Sequence, residues 1–409
     1  MSEDSDEEFN QAIQASLEDQ IGAGCTENVP VTKLLNDLAA QINVNATSKF
    51  NINRSAVLDG TIRGFKRSSY NPRHRISVTF SDDSGNTEEA IDLGGPRREF
   101  LRLLMQALKQ SSMFEGAEES QNLALDSQAL REDRYFIAGR AIAISLVHGG
   151  PAPGFLSSTL FSCLSGSPET AKPTLDDVAD IELRGKIKRI LESATMTELN
   201  SAIEPLLDYL TNCGCLRAMK TVNDKEMLLE DILMFQVINR VRGPFERFCE
   251  GMKTLGVLEQ LQQHPDAFCP LLCHKTRQLT ADILDNLFQI QFSESGSNRR
   301  MAENNVTAYW RDYLQDAEDE EGPTKLGKIL TFATGASEIP PIGFSPQPSI
   351  EFLHDEQTVF NSSHGVSAAR FPMANTCVNC LRIPLHSAYE AFKTNMDFAI
   401  ANTQGFGMQ

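Results

Sequence analysis

One cysteine in this sequence sits where a thiol could meet a large substrate. The segment Arg370-Phe-Pro-Met-Ala-Asn-Thr-Cys377-Val-Asn-Cys-Leu-Arg-Ile-Pro384 places Cys377 in a polar turn, between a proline corner and a short strand. A thiol there stays accessible to a carbonyl. Its thiolate is intrinsically nucleophilic, so a minor population at neutral pH suffices to accept an acyl group. The plainer reading is that a free cysteine is most often a small buried hydrophobe. Cys377-x-x-Cys380 also has the spacing of half a zinc site or of a redox pair. No second pair at ligand spacing and no thioredoxin-like βαβ pattern accompanies it. Cys269, Cys273 and His274 lie close together, as do Cys213 and Cys215, but neither group completes a four-ligand signature. They are read as buried or incidental, and no metal and no cofactor is expected. His148, at a helix end, is read as structural, satisfying or charging the last carbonyls.

The elements that must hold these residues follow from composition and period. A chain of 409 residues exceeds what one hydrophobic core usually supports, so at least two packed units are expected. Nine cysteines, an odd number thinly scattered, point to a reducing compartment. The net charge of −18 opposes docking on a phosphate backbone, so nucleic acid is not expected as a partner. No apolar run is long enough to span a bilayer, and the acidic start lacks the basic and apolar parts of a signal peptide. A soluble protein of the cytoplasm, the nucleus or both is expected, with no membrane partner.

Residues 4–20 read as an isolated amphipathic helix, with Ser5 and Glu8 as a capping box and Phe9, Ala12, Ile13, Ser16 and Leu17 on one face. Residues 21–69 show no sustained period and read as a linker. The basic residues from Lys49 to Arg75 are read as a solvated leader to the first strand rather than a nucleic-acid patch. The folded body is expected from Tyr70. Alternating Ile76, Val78 and Phe80 predict a half-buried strand, and 88–93 a possible return strand. Pro96 marks a helix start with Phe100, Leu101, Leu104, Met105 and Leu108 as its apolar stripe. A further helix covers Arg134 to Val147. Helical patterns then dominate: Glu182 to Ala194, Met196 to Leu210, Phe245 to Leu261, Thr280 to Phe292. The small polar run 293–298 reads as a flexible joint and domain boundary. Beyond it, 299–409 is a compact α+β unit. Its expected parts are helices around Val306–Leu314 and Lys325–Phe332 separated by an acidic loop at 316–322, strands at 349–353 and 378–383, and a last helix capped by Ser387 and Glu390.

Ordered landmarks give the C-terminal segment a family resemblance. They are Tyr309-Trp310, Leu330-Thr-Phe-Ala-Thr-Gly335, Pro340-Pro-Ile-Gly-Phe344, Phe371-Pro372, Asn375-Thr-Cys377, Leu381-Arg-Ile-Pro384 and Gly405-Phe-Gly407. Together they resemble the C-lobe of HECT ubiquitin ligases. Asp92-Leu-Gly-Gly-Pro-Arg-Arg-Glu-Phe100 is similar to an element of the family's N-lobe, and Gly-Met-Lys-Thr-Leu-Gly-Val-Leu at 251–258 looks like a divergent branch of that family.

The resemblance implies a bilobal α+β fold. A mostly helical N-lobe over 70–292 would contain a docking subdomain at 167–245 for a ubiquitin-conjugating enzyme. A hinge at 293–298 would join it to an α+β C-lobe over 299–409. It implies that Cys377 carries ubiquitin as a thioester and passes it to a substrate lysine. Thr376 would support the site and Phe406 would tether the C-terminus for lysine attack. Asn375 stands where the family has histidine, Val378 where it has an aromatic, and a Leu-x-Pro-x-Gly element is absent from 167–245. The first helix resembles a ubiquitin-interacting motif, with Glu7 and Glu8 as acidic entry and Phe9, Ala12, Ile13, Ser16 and Leu17 as contact face. Ubiquitin, a conjugating enzyme and protein substrates are the partners so implied. The rival reading is a ubiquitin-binding adaptor that keeps the fold but cannot load.

Overall fold

The computed structural model describes residues 29–81, 94–274, 279–354 and 371–402. Residues 4–20, the return strand at 88–93 and the closing Gly405-Phe-Gly407 lie outside them.

The alternation at 76–80 forms β2 (His74–Ser81), with Ile76, Val78 and Phe80 each 1% exposed. Its partner is β1 (Asn43–Asn53), aligned parallel so that Phe50 faces Val78 and Ile52 faces Phe80. A parallel pair needs a crossover, and helix α2 (Val57–Phe65) is part of it. Gly64 lets α2 lie directly on Phe50, because a β-carbon there would stand 2.3 Å from the ring. Before β1, α1 (Val31–Ala39) contributes Leu34, Leu35 and Leu38 to the same core. The expected linker over 21–69 is therefore corrected for 31–65, which is folded. The period was hidden because β1 is mostly Asn, Thr, Ser and Lys, and its few apolar residues gain burial only from a distant strand. The basic residues here are structural in part, since Arg67 donates to the Lys49 carbonyl at 2.8 Å.

Around this pair pack α3 (Gly95–Lys109), the hairpin β3 (Phe114–Ala117) and β4 (Ser120–Leu123), α4 (Arg134–Val147) and α5 (Arg242–Met252). Helices α4 and α5 meet backbone to backbone. A β-carbon on Gly139 would fall 2.2 Å from the Phe248 carbonyl oxygen, and one on Gly251 would fall 2.1 Å from that of Phe136. His148 closes α4, but not as expected. It is 4% exposed and its Nε2 meets the Pro72 carbonyl at 2.9 Å, not the helix's own last carbonyls. Burial pushes its imidazole down to about 4, so it is neutral at physiological pH.

The middle of the chain builds a second core from helices Ile181–Glu192, Met196–Ile203, Leu207–Asn212 and Asp224–Leu233, followed by a π-helical turn at Met234–Ile238. Thr195 and Glu198 form a reciprocal capping box at the second of these. The third core is C-terminal. Helices α6 (Asn298–Glu321), α7 (Pro323–Thr334) and α8 (Tyr389–Ala401) pack on a sheet ordered β5 (Gln289–Ile290), β6 (Ser349–Leu353), β8 (Cys380–Pro384), β7 (Met373–Asn375). Only the β7–β8 pair is antiparallel.

Two expectations for this unit change. The acidic run at 316–322 is no loop up to Glu321; it is the end of α6. Lys393 reaches Asp316 at 2.7 Å and Glu320 at 2.6 Å, and Lys325 reaches Glu320 at 2.6 Å, so the carboxylates are compensated where they oppose the helix dipole. Helix α8 begins at Tyr389 after Ala388 with no side-chain cap, so Ser387 and Glu390 do not form the expected capping box.

The joint at 293–298 is also corrected. Ala281, Leu284 and Phe288 already belong to the C-terminal core, and β5 pairs with β6. The backbone N–H of Ser293 donates to Glu303 at 2.8 Å, and Arg300 stacks over Phe292 at 3.6 Å. Cys273 packs on the first core and Leu279 on the third, so the chain changes units between them. A polar composition marks a loop; it does not say whether the loop lies between cores or inside one.

A candidate acyl-transfer site at the junction of two units

Strands β7 and β8 form a hairpin in which Asn375 faces Cys380, leaving Thr376 to Asn379 as its turn. Cys377 occupies this turn, half-buried, with Val378 beside it 40% exposed. The turn is closed by Val378 N–H donating to the Asn375 carbonyl at 3.2 Å. The Asn375 side chain also accepts from the Cys377 N–H, at 3.2 Å. Asn379 ends the turn in the left-handed region at φ 56°, which asparagine tolerates better than most residues. It is fully buried, and its amide donates to the Pro346 carbonyl at 2.6 Å.

Five other cysteines have their thiols raised by burial. Burial pushes the Cys163 thiol up to about 11 and those of Cys215, Cys249 and Cys273 to about 12, and it raises Cys380 as well. All five stay protonated at neutral pH and lack the thiolate that nucleophilic attack needs. Cys380 is 3% exposed, which leaves a poor partner for a redox pair with Cys377. The Cys213 thiol meets the Leu210 carbonyl and the Cys273 thiol the Ser157 carbonyl, while His274 pairs with Glu119 at 3.3 Å. Among the described residues no three His, Cys, Asp or Glu side chains gather as a metal site would require. No described helix is long and apolar enough to cross a membrane.

The turn does not stand free on its inner side. It rests on the start of α3. A β-carbon on Gly95 would lie 2.2 Å from Thr376 Oγ1, and one on Gly94 would lie 3.7 Å from the Cys377 carbonyl oxygen. From the next turn of α3, Arg98, 4% exposed, donates to the Thr334 carbonyl at 2.8 Å, to the Thr376 carbonyl and to Asn379 Oδ1 at 2.5 Å. Smaller contacts flank this one. Thr32 donates to the Pro341 carbonyl at 3.1 Å, and Ile342 packs on the first core. On the hairpin's outer side Phe371 and Met373 are exposed, and the Phe371 ring stacks 4.8 Å from that of Phe398.

Of the residues singled out from sequence, Asn375, Thr376 and Cys377 are thus brought together in one turn. Phe406 and the N-terminal set Glu7, Glu8, Phe9, Ala12, Ile13, Ser16 and Leu17 lie outside the described residues. Gly94, Gly95, Arg98 and Asn379 were missed as site residues. The Gly-Gly-x-x-Arg element was visible in the sequence; what it touches, some 280 residues later, was not.

Comparison with known proteins agrees with this architecture. A family model described as HECT-domain (ubiquitin-transferase) matches residues 102–409. The chain is 44% identical over 373 residues to the G2/M phase-specific E3 ubiquitin-protein ligase of Homo sapiens, covering 91% of this chain and 49% of that protein. The Gallus gallus protein of the same name is 40% identical over 372 residues, 91% of this chain and 47% of its own length. A more distant relative, E3 ubiquitin-protein ligase NEDD4 of Homo sapiens, is 23% identical over 388 residues, 90% of this chain and 28% of its own. The chain spans about half the length of these two curated relatives. Family match, bilobal α+β architecture and 44% identity agree, and the chain belongs to the HECT-domain family.

Proposed function

We propose that the protein is a HECT-type ubiquitin ligase that accepts ubiquitin from a conjugating enzyme onto Cys377 and transfers it to a substrate lysine. The observation that carries this reading is the Cys377 thiol, half-buried in a tight hairpin turn where two lobes meet.

In the first half-reaction Cys377 Sγ attacks the carbonyl carbon of the incoming thioester. A new C–S bond forms, the old one breaks, and the conjugating enzyme's cysteine leaves as thiolate. In the second, a lysine amine attacks the same carbon. A C–N bond forms, the C–Sγ bond breaks with Cys377 leaving as thiolate, and the proton shed by the amine passes to solvent or to that thiolate, which regenerates the free cysteine. Exchange of one thioester for another is nearly isoenergetic, so the protein's contribution is chiefly position. Asn375 shapes the turn by accepting from the Cys377 N–H, and Thr376 seats it on Gly95. Phe406 is assigned the tethering of the C-terminus during lysine attack. Residues 4–20 are assigned ubiquitin binding as a ubiquitin-interacting motif.

The helical subdomain is the proposed docking surface for the conjugating enzyme. Ile181 (80% exposed), Met227 (59%) and Leu191 (50%) are apolar side chains there that its own core does not cover. Movement of the C-lobe between the two half-reactions is part of this proposal. Cytoplasm and nucleus, where ubiquitin and thiols coexist, are the proposed locations.

The test is direct. The protein is mixed with activating enzyme, a panel of conjugating enzymes, ATP and ubiquitin, and resolved on a non-reducing gel. A thiol-sensitive adduct that disappears in Cys377→Ala is expected. Its absence across a broad panel would instead identify a ubiquitin-binding adaptor.

A further inference from the structure

We infer that Arg98 is a positioning residue for the second half-reaction, latching the Cys377 turn to the N-terminal lobe while the bound acyl group awaits the amine. The inference rests on the thioester reading above and adds to it a residue and a step.

Three features of the junction support it. First, the acceptors of Arg98 come from two separate parts of the C-terminal unit: the end of α7 through Thr334, and the turn itself through Thr376 and Asn379. One planar guanidinium thereby fixes both where the lobe sits and how the turn faces. Second, Asn379 transmits that hold inward. Its side chain bonds Pro346 and its carbonyl accepts from Ser349 at 2.9 Å, so Arg98 is coupled to β6 and the sheet. Third, the surfaces fit without slack. Gly95 faces Thr376 as described, and a β-carbon on Gly335, at φ 80°, would come 3.2 Å from the Gly95 carbonyl oxygen.

The step follows from what else can hold the turn. During loading the conjugating enzyme grips its own thioester and presents it, so contacts outside this chain contribute to alignment. Once that enzyme has left, contacts made by this chain, those between the lobes among them, must keep the acyl carbon in place for an amine. Misplacement on the order of 1 Å can slow such a transfer by about a hundredfold. The latch must also open for the C-lobe to travel, and hydrogen bonds to backbone carbonyls, unlike a large apolar interface, can be exchanged for water at each cycle. Lysine cannot substitute, because a single ammonium does not present the donors of a fork in one plane.

The experiment separates the half-reactions. Full-length protein is loaded in a single turnover, the adduct is quantified, and its discharge to free lysine is followed. Arg98→Lys is expected to load within about twofold of wild type and to discharge on the order of tenfold more slowly or worse. Gly95→Ala, which removes no hydrogen bond but inserts a methyl against Thr376, is expected to show the same split, and it keeps the test open should Arg98→Lys fold poorly. Wild-type discharge in both variants, or loading and discharge falling together, overturns the inference. Absence of an adduct on the wild type would instead sink the thioester reading and the role in discharge with it. The latch is then judged by hydrogen exchange across 373–384: faster exchange in Arg98→Lys upholds it, and unchanged exchange refutes it.

Discussion

The body of this molecule holds its two neighbours by different means. The helical subdomain is attached by shared apolar elements. One helix, Ser158–Ser165, gives Phe161 and Leu164 to the first core and Cys163 to the second, and Phe245 packs against both. The chain also enters and leaves that subdomain through the body, near Gly166 and Val241. The C-terminal unit is joined by one passage of the chain, an arginine reaching for carbonyls, and a few flanking contacts. The first junction cannot open without exposing core. The second can. That difference suits one neighbour to be a fixed platform and the other a moving arm.

The comparison is easiest to break at the cores. Trp310→Ala removes a side chain 1% exposed from the third core, and Leu228→Ala removes one fully buried from the second. Each is expected to cost about 3–5 kcal/mol. Trp310→Ala should lower a separate C-terminal transition in urea while the rest unfolds as in wild type. Leu228→Ala should shift the body's transition along with that of the subdomain. Site-specific hydrogen exchange checks both, and a single concerted shift for Trp310→Ala would deny the C-terminal unit its independence.

Acid sharpens the contrast at somewhat lower cost. His148 in the body has a folded value of about 4 against an ordinary 6.5. Its contribution is fully present above the unfolded value and is lost as pH falls through the folded one, an effect of roughly 3 kcal/mol. In the C-terminal unit, burial opposes ionisation of Glu303, but hydrogen bonds from Ser293 and His354 outweigh it and hold the carboxyl below its usual range. Its share is lost only as pH drops below the usual carboxylate range. Urea midpoints should therefore fall for the body between pH 6.5 and 4, before the C-terminal unit responds to Glu303, and His148→Asn should flatten that first fall. The smallest effect is expected from Thr32→Ala, which deletes one peripheral hydrogen bond to Pro341. It should cost under about 1 kcal/mol and leave discharge of the adduct unchanged; a slowed discharge would spread the latch beyond Arg98.

What the sequence made legible follows the same division. Local period placed α4 at Arg134–Val147 and β6 at Ser349–Leu353 and found Ile181–Glu192 to within a few residues, but it read 196–210 as one helix where the chain breaks into two, and it did not single out Asp224–Leu233. The proline corner and following strand put Cys377 in a turn, as found. Errors arose where burial depends on a remote partner. Strand β1 carries too few apolar residues to announce itself, yet Phe50 and Ile52 are at most 1% exposed. The helix Ala281–Leu287 shows an apolar face, but nothing in its own residues says which core covers it, so the boundary was placed too late. Arg98 belongs to the same class. An arginine early in an amphipathic helix reads as solvated, and only the fold reveals that it is buried against carbonyls more than two hundred residues away.

The end of α6 bears on which amines a loaded ligase could label on itself. Hydrogen bonds from Lys393 to Asp316 and Glu320 raise its ammonium well above the ordinary lysine range, and Lys325, paired with Glu320 and Asp397, is raised too despite its burial. A protonated amine has no lone pair to offer a thioester. Should Cys377 carry ubiquitin as proposed, these two neighbours in its own lobe are poor acceptors, and self-modification would fall on lysines whose nitrogen is free to shed its proton.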